Sequence, residues 1–213
     1  AQVLDSALAR HRCPLLPEVI AQVGDMQVRA RGTVGGSLAH ADPAADLPAA
    51  ALALEATLFC AGPAGTREIA ARDFFVDLLT TALAPGEILT AIRFPATDQP
   101  GTGTAYEKHR HPASGYAVAG VAALLRVEGE TIAEARVGIT GAATHATRAT
   151  ALERALTGRA ATAETVATAA ELAADGLDLM SDAYASMEYR AHLARVLARR
   201  ALERALIRAQ RGG

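Results

Sequence analysis

The most informative stretch of the sequence is Arg31-Gly-Thr-Val-Gly-Gly-Ser-Leu-Ala-His-Ala-Asp-Pro-Ala-Ala-Asp46. Because the glycines at 35 and 36 carry no side chain, their backbone N–H groups can come close to a bulky anion. Successive exposed N–H groups form a concave nest that suits phosphate, and Thr33 and Ser37 add hydroxyl donors on either side. The stretch therefore predicts a phosphate-binding loop, although a tight turn before a helix is the simpler alternative.

Two acidic residues, Asp42 and Asp46, close the same stretch. Carboxylates repel phosphate, but they accept hydrogen bonds from sugar hydroxyls or from a ring N–H group. Together with the glycines they indicate a nucleotide that carries both a diphosphate and a polyol.

Composition narrows the class of protein. The chain has 213 residues, enough for one large domain or two small ones. It is 51% hydrophobic, much of it alanine, and only 4% aromatic, which favours closely packed helices. A net charge of −2 argues against general binding to nucleic acid. No apolar run reaches the roughly 18 residues of a membrane span and no signal-peptide pattern occurs, so we expect a soluble, cytoplasmic protein without stable membrane insertion.

Metal ligands are sparse. The two cysteines, Cys13 and Cys60, are far apart and form no C-x-x-C pair, so we expect buried thiols and neither an iron–sulfur cluster nor a zinc site. His109 and His111 lack a third ligand nearby, and no metal site is expected there.

Local patterns predict an α+β fold in two parts, residues 1–98 and 99–213. In the first part we expect helices over 1–11, 18–26, 46–55 and 74–81, and strands over 57–61, 66–70 and 87–94. Residues 95–103 are dense in turn formers and predict a linker. In the second part, strands over 116–126 and 131–140 flank a turn, and helices follow over 148–157, 162–174 and 184–209. The second part should be an antiparallel sheet of about three strands packed on helices.

Five short motifs occur in order along the chain: Arg31-Gly-Thr-Val-Gly-Gly-Ser37, Asp42-Pro-Ala-Ala-Asp-Leu-Pro48, Pro85-Gly-Glu-Ile-Leu-Thr-Ala-Ile-Arg-Phe-Pro95, Tyr106-Glu-Lys108 and Ser114-Gly-Tyr-Ala117. The ordered set resembles the FAD-binding medium subunit of molybdenum hydroxylases, the family of aerobic carbon monoxide dehydrogenase and xanthine dehydrogenase. In that family two glycine-rich loops hold the diphosphate of FAD. The second loop corresponds to residues 33–37, and the first has no counterpart in this sequence, so we expect the N-terminal portion of the family's FAD domain to be lacking.

The resemblance implies roles for particular residues. Those expected to face the diphosphate are Thr33, Val34, Gly35, Gly36 and Ser37. Those expected around the rest of the cofactor are His40 and Asp42 lining the cleft, Asp46 near the polyol, Leu89 against the flavin, Lys108 near the isoalloxazine edge and Tyr116 over one ring face.

Simpler interpretations stay open for several of these residues. Lys108 lies in a basic stretch typical of a solvated loop, and Tyr116 and Leu89 could be ordinary core residues. Asp46 could serve only as the N-cap of the following helix.

The resemblance also implies an activity. In the family, substrate is oxidised at a molybdenum centre on a large molybdopterin subunit, and electrons pass through iron–sulfur clusters on a small subunit to FAD and then to an external acceptor. We therefore expect an oxidoreductase subunit with FAD as its cofactor and with both of these subunits as partners. The alternative is a cofactor-free assembly or scaffold fragment that only contacts partner subunits. A Rossmann-type enzyme is weaker, since no G-x-G-x-x-G links a strand to a helix.

Overall fold

The computed structural model describes residues 2–211. Its first part opens with six helices: α1 (Gln2–Asp5), α2 (Ala7–Arg12), α3 (Leu15–Gln22), α4 (Met26–Arg31), α5 (Val34–His40) and α6 (Asp46–Ala53). The helix predicted over 1–11 is interrupted at Ser6, whose hydroxyl caps α2 by accepting the Ala9 N–H. The helix predicted over 18–26 begins earlier, because Pro17 lies in the first turn of α3, where an amide has no intrahelical acceptor.

Five strands follow: β1 (Thr57–Gly62), β2 (Gly65–Ala70), β3 (Phe75–Asp77), β4 (Thr80–Thr81) and β5 (Ile88–Arg93). Strands β2, β1 and β5 form an antiparallel sheet in that order, and β3 pairs with β4. The helix predicted over 74–81 is wrong. Phe75 and Val76 favour extended backbone, and Leu79 turns the chain with a φ of 51°. This segment is a short hairpin after a turn at Ala71–Asp73.

The second part is built on four strands, β6 (Thr102–Arg110), β7 (Ala117–Glu128), β8 (Thr131–Thr140) and β9 (Thr147–Arg148), which are antiparallel in that order. Helices α7 (Thr150–Leu156), α8 (Ala163–Ala170) and α9 (Met187–Arg211) follow. The α+β class, the long hairpin of β7 and β8 and the three helices confirm the prediction. Strand β6 was not predicted, and it contains the Tyr106-Glu-Lys108 motif.

Strand β7 is buried on both faces. Ala123 and Leu125 face a core formed with α7, α8 and α9, whereas Ala122 and Leu124 face a core formed with α3 and α6. Side chains alternate across a strand, so one strand can supply both cores. The four-stranded sheet is therefore covered on one face by helices of the second part and on the other by helices of the first.

Two glycines allow the helices to approach this sheet. A Cβ atom on Gly103 would lie 1.9 Å from the carbonyl oxygen of Ala205 on α9, and a Cβ on Gly138 would lie 2.2 Å from that of Ala49 on α6. Both thiols are free and buried, as predicted for Cys13 and Cys60. Within residues 2–211, none of the helices combines the length and the apolar character needed to cross a bilayer.

Candidate functional site

A cavity of about 830 Å³ lies beside helix α5. It is bounded by the end of α3, by α4 and α5, by the start of α6 and by the turn before β7. Its lining residues are Gln2, Val3, Ile20, Val23, Gly24, Val28, Arg29, Ala30, Arg31, Gly32, Thr33, Val34, Gly36, Ser37, His40, Asp42, Ala45, Asp46, Leu47, Ser114, Gly115 and Tyr116. Eight of the eleven residues predicted for the site are therefore brought to one cavity, and Gly35, Leu89 and Lys108 are not in its lining.

The glycine pair lies in the first turn of helix α5, so the backbone here is helical and the prediction of a loop conformation is wrong. Thr33 is the N-cap of α5, and its side-chain oxygen accepts the Gly36 N–H at 2.9 Å. The Thr33 carbonyl oxygen accepts the Ser37 N–H at 3.1 Å. Within residues 2–211, the Val34 and Gly35 amides have no acceptor. Two first-turn amides remain available to an anion, fewer than the sequence suggested.

The two glycines serve different purposes. A Cβ on Gly36 would lie 2.7 Å from the Thr33 side-chain oxygen, so this glycine leaves room for the cap. A Cβ on Gly35 would meet nothing closer than the Leu89 side chain, at 3.9 Å. Leu89 therefore supports α5 from β5 and does not reach the cavity.

The loop between α5 and α6 is fastened to the ends of β7 and β8. Its Asp42 carboxylate accepts the Ala44 N–H at 2.8 Å, and the Ala44 carbonyl accepts the Ala117 N–H at 3.1 Å. The Pro43 carbonyl accepts the Gly141 N–H at 2.6 Å. These bonds hold residues of the two parts of the chain on one wall of the cavity.

Tyr116 lies at the rim of the cavity and is 48% exposed, so it is not an ordinary core residue. Gly115 precedes it with a φ of 73°, a conformation that suits glycine, and lies against Gly24 across the cavity. His40, at the end of α5, is exposed and lines the same cavity. An aromatic ring, an imidazole and the unpaired Val34 amide thus share one space.

Asp46 is the first residue of α6, and Ala45 takes the N-cap position, so the N-cap interpretation of Asp46 is wrong. The Asp46 carboxylate is buried and accepts a hydrogen bond from the Tyr106 hydroxyl. The Lys108 ammonium lies 2.8 Å from one of its oxygens and 2.9 Å from the other. The solvated-loop interpretation of Lys108 is therefore also wrong, because its side chain is 1% exposed on strand β6.

Burial shifts the ionisation of all three groups. It raises the pKa of Asp46, although Lys108 and the Tyr106 hydrogen bond act in the opposite direction. It lowers the pKa of Lys108, opposed by Asp46. It also places the pKa of Tyr106 well above its ordinary value. Each member of the pair thus favours the charged form of the other, against the effect of burial.

Sequence reasoning missed two features of this site. Tyr106 had no assigned role, although it belongs to the Tyr106-Glu-Lys108 motif. The wall formed by Val23, Gly24 and Val28 was also missed, and the glycine before α4 was its only local signal.

The donor set fits a flavin dinucleotide. The Val34 amide, which has no acceptor within residues 2–211, and the hydroxyls of Thr33 and Ser37 suit a diphosphate. Asp42 and Asp46 are acceptors that suit polyol hydroxyls. Tyr116 offers an aromatic surface to a planar ring, and the cavity lies within the volume range typical of cofactor sites.

Comparison with known proteins identifies the family. Residues 1–97 match the "FAD binding domain in molybdopterin dehydrogenase", and residues 104–205 match the "CO dehydrogenase flavoprotein C-terminal domain". The chain is 36% identical to the carbon monoxide dehydrogenase medium chain of Hydrogenophaga pseudoflava, covering 97% of this chain and 71% of that one. It is 32% identical to the glyceraldehyde dehydrogenase medium chain of Sulfolobus acidocaldarius, covering 94% and 71%.

Solved structures agree. A carbon monoxide dehydrogenase from Hydrogenophaga pseudoflava superimposes with a TM-score of 0.93 at 38% identity, over 97% of this chain and 72% of that one. A quinoline 2-oxidoreductase from Pseudomonas putida 86 does so with 0.86 at 35% identity, over 96% and 70%. The chain therefore belongs to the FAD-binding medium subunits of the molybdenum-hydroxylase-type dehydrogenases, and it is an oxidoreductase subunit whose cofactor is FAD.

Proposed function

We propose that this subunit holds FAD in the cavity beside α5 and carries electrons from iron–sulfur clusters on a partner subunit to an external acceptor. The observation that carries the proposal is the shared cavity, in which the unpaired Val34 amide, two hydroxyls and an exposed tyrosine meet. FAD supplies a carrier that exchanges electrons singly or in pairs. The chain's own residues bind it, orient it and cover its ring.

The diphosphate lies against the first turn of α5 in this proposal. The Val34 amide and the Ser37 hydroxyl donate to it, and the Thr33 cap with Gly36 keeps the turn in place. Leu89, on strand β5, packs against this turn beside Gly35.

The remaining contacts follow from the cavity wall. His40 and Asp42 supply polar groups, Asp46 accepts from the polyol, and Tyr116 covers one ring face. Lys108 does not line the cavity, but its ammonium group contacts the Asp46 carboxylate. Residues 1–98 serve as the FAD-binding part and residues 99–213 as the C-terminal domain of the flavoprotein.

The partners are an iron–sulfur small subunit and a molybdopterin large subunit, and the complex is cytoplasmic. Several relatives carry names that support a multi-subunit assembly, among them the "6-hydroxypseudooxynicotine dehydrogenase complex subunit alpha" and the "nicotine 6-hydroxylase medium subunit" of Paenarthrobacter nicotinovorans.

The test is FAD binding by the full-length subunit purified with its partners. Ser37→Asp places a negative charge beside the diphosphate and should weaken FAD binding about tenfold or more. Ser186→Asp is the matched control, because Ser186 caps α9, does not line the cavity, and can be replaced by aspartate as an equally good N-cap. Bound FAD is measured by visible absorbance and by fluorescence titration.

A second pair of variants tests the ring contact. Tyr116→Ala should weaken FAD binding about fivefold, since an aromatic cover contributes about 1 kcal/mol. Tyr184→Ala is the control, because Tyr184 has nearly the same exposure, 47%, and does not line the cavity. A wild-type complex that assembles with its partners but contains no FAD would favour the scaffold alternative.

A further inference from the structure

Lys108 is the only lysine among the 21 basic residues of the sequence, and the other 20 are arginines. Its side chain is 1% exposed. Lysine is among the residues least often buried, and burying its charge is costly unless it is paired. A chain that uses arginine everywhere else thus places its one compact ammonium group against the wall of the cavity.

All three N–H groups of this ammonium have acceptors within the described chain. Two are the Asp46 carboxylate oxygens, at 2.8 and 2.9 Å, and the third is the Gln22 carbonyl oxygen, at 3.1 Å. Lys108 has no N–H left for a ligand. Any effect it has on a bound molecule must therefore pass through Asp46 or through the backbone beside Gln22.

Both of these neighbours lead to the cavity. Asp46 is a lining residue, and Gln22 is followed directly by Val23 and Gly24, which also line it. An ionised carboxylate offers about four acceptor positions, of which Lys108 and Tyr106 use three. One position remains for a hydroxyl donor from a ligand.

We propose that Lys108 is a positioning residue: it holds Asp46 ionised at the cavity wall, so that the carboxylate accepts a hydrogen bond from a sugar or ribityl hydroxyl of the bound dinucleotide. This inference rests on the proposed FAD site. It differs from the role predicted from the sequence, in which the lysine itself lies at the flavin edge.

The surrounding charges show why Asp46 depends on this lysine. From β6, Tyr106 and Lys108 contact the carboxylate, and Arg110 adds a weaker attraction. From α3, Glu18 accepts the Tyr106 N–H and is itself neutralised by arginines of α9. From α5, His40 lines the same cavity. Lys108 is the charge closest to Asp46, and without it burial would favour the protonated acid.

The experiment compares FAD binding by Lys108→Met, Lys108→Arg and the wild type as a function of pH, with the full-length subunit and its partners. Burial already raises the pKa of Asp46, and removing Lys108 raises it further. Asp46 would then become protonated at a higher pH than in the wild type. In Lys108→Met the FAD dissociation constant should rise about tenfold from about pH 9 to about pH 6, whereas in the wild type and in Lys108→Arg it changes much less.

Arg110→Gln is the matched control, because Arg110 donates to the same Gln22 carbonyl oxygen, at 2.9 Å, without contacting Asp46. It should shift the pH profile much less than Lys108→Met does, because it removes only the weaker of the two attractions on Asp46. Asp46→Asn should weaken binding equally at every pH, since it has no charge to lose. Tyr106→Phe should give a smaller pH dependence of the same sign, and it replaces Lys108→Met if that variant does not fold.

Three results would overturn the proposal. The first is a Lys108→Met profile as flat as the wild type. The second is an equal loss of FAD at all pH values in that variant, which would indicate a purely structural role. The third applies if Lys108→Met does not fold: it is an FAD dissociation constant of Tyr106→Phe that does not depend on pH. A wild type that binds no FAD would instead refute the proposed function.

Discussion

The two larger sheets of this subunit are stabilised in opposite ways. In the four-stranded sheet, β7 is buried along nine consecutive residues and is covered by helices on both faces. In the three-stranded sheet, four of the six residues of β2 and four of the six of β5 are exposed. The first sheet depends on tight packing, whereas the second presents polar side chains and ion pairs to solvent.

This difference explains where the cavity lies. Its walls come from short helices and loops that are fastened to the ends of β7 and β8, such as the Pro43 carbonyl bound by the Gly141 N–H. A rigid sheet with both faces covered gives such loops a fixed support. The three-stranded sheet contributes Leu89 behind α5 and no lining residue.

The largest expected effect comes from the closest packing in the four-stranded sheet. Gly103→Val would drive its side chain into the backbone of α9 at Ala205, and we expect a loss of about 3 kcal/mol or more in the free energy of unfolding. Gly129→Asn in the β7–β8 turn is the control. It has open space and a φ of 58°, which asparagine tolerates, and should cost less than about 1 kcal/mol. Urea denaturation followed by circular dichroism measures both, and equal losses would contradict the packing argument.

The difference in burial between the two sheets also explains which elements could be predicted from the sequence. The long apolar run of β7, the turn at Gly129 and the helices that follow were predictable, because continuous burial and strong turn formers leave few alternatives. The hairpin at residues 74–81 was not, since its apolar residues also fit a helix and three of the five are exposed.

The site was predictable only in part. Residues 33–46 are local in sequence, so the glycine and aspartate pattern was enough to indicate them. The partners of Asp46 are 60 and 62 residues away, on a strand that was not predicted. Burial of Lys108 depends on how that strand packs beside α3 and brings the lysine to Asp46, which no local pattern encodes.

A smaller difference is expected for the same substitution in each sheet. Ile139 on β8 is 1% exposed, and Ile139→Val should cost about 1 kcal/mol because one buried methylene group is lost. Ile88 on β5 is 65% exposed, and Ile88→Val should change the free energy of unfolding by less than about 0.5 kcal/mol. The two variants are compared in parallel urea titrations, and an equal cost would show that the exposed sheet is packed against something.

The smallest effect concerns the ion pair at the edge of the three-stranded sheet. Arg67 on β2 donates two hydrogen bonds of 2.8 Å to Glu87, and the Ala84 N–H donates a third. The arginine lowers the pKa of Glu87 to about 2. A carboxyl group with a depressed pKa stabilises the fold above its ordinary pKa, and this contribution is lost as the pH falls toward about 2.

Arg67→Gln should therefore return the pKa of Glu87 most of the way to its ordinary value, as measured by carbon NMR titration of the carboxyl group. The Ala84 N–H bond would keep it slightly low. An unchanged pKa of Glu87 in Arg67→Gln would mean that the Ala84 N–H bond, and not the ion pair with Arg67, keeps this pKa low.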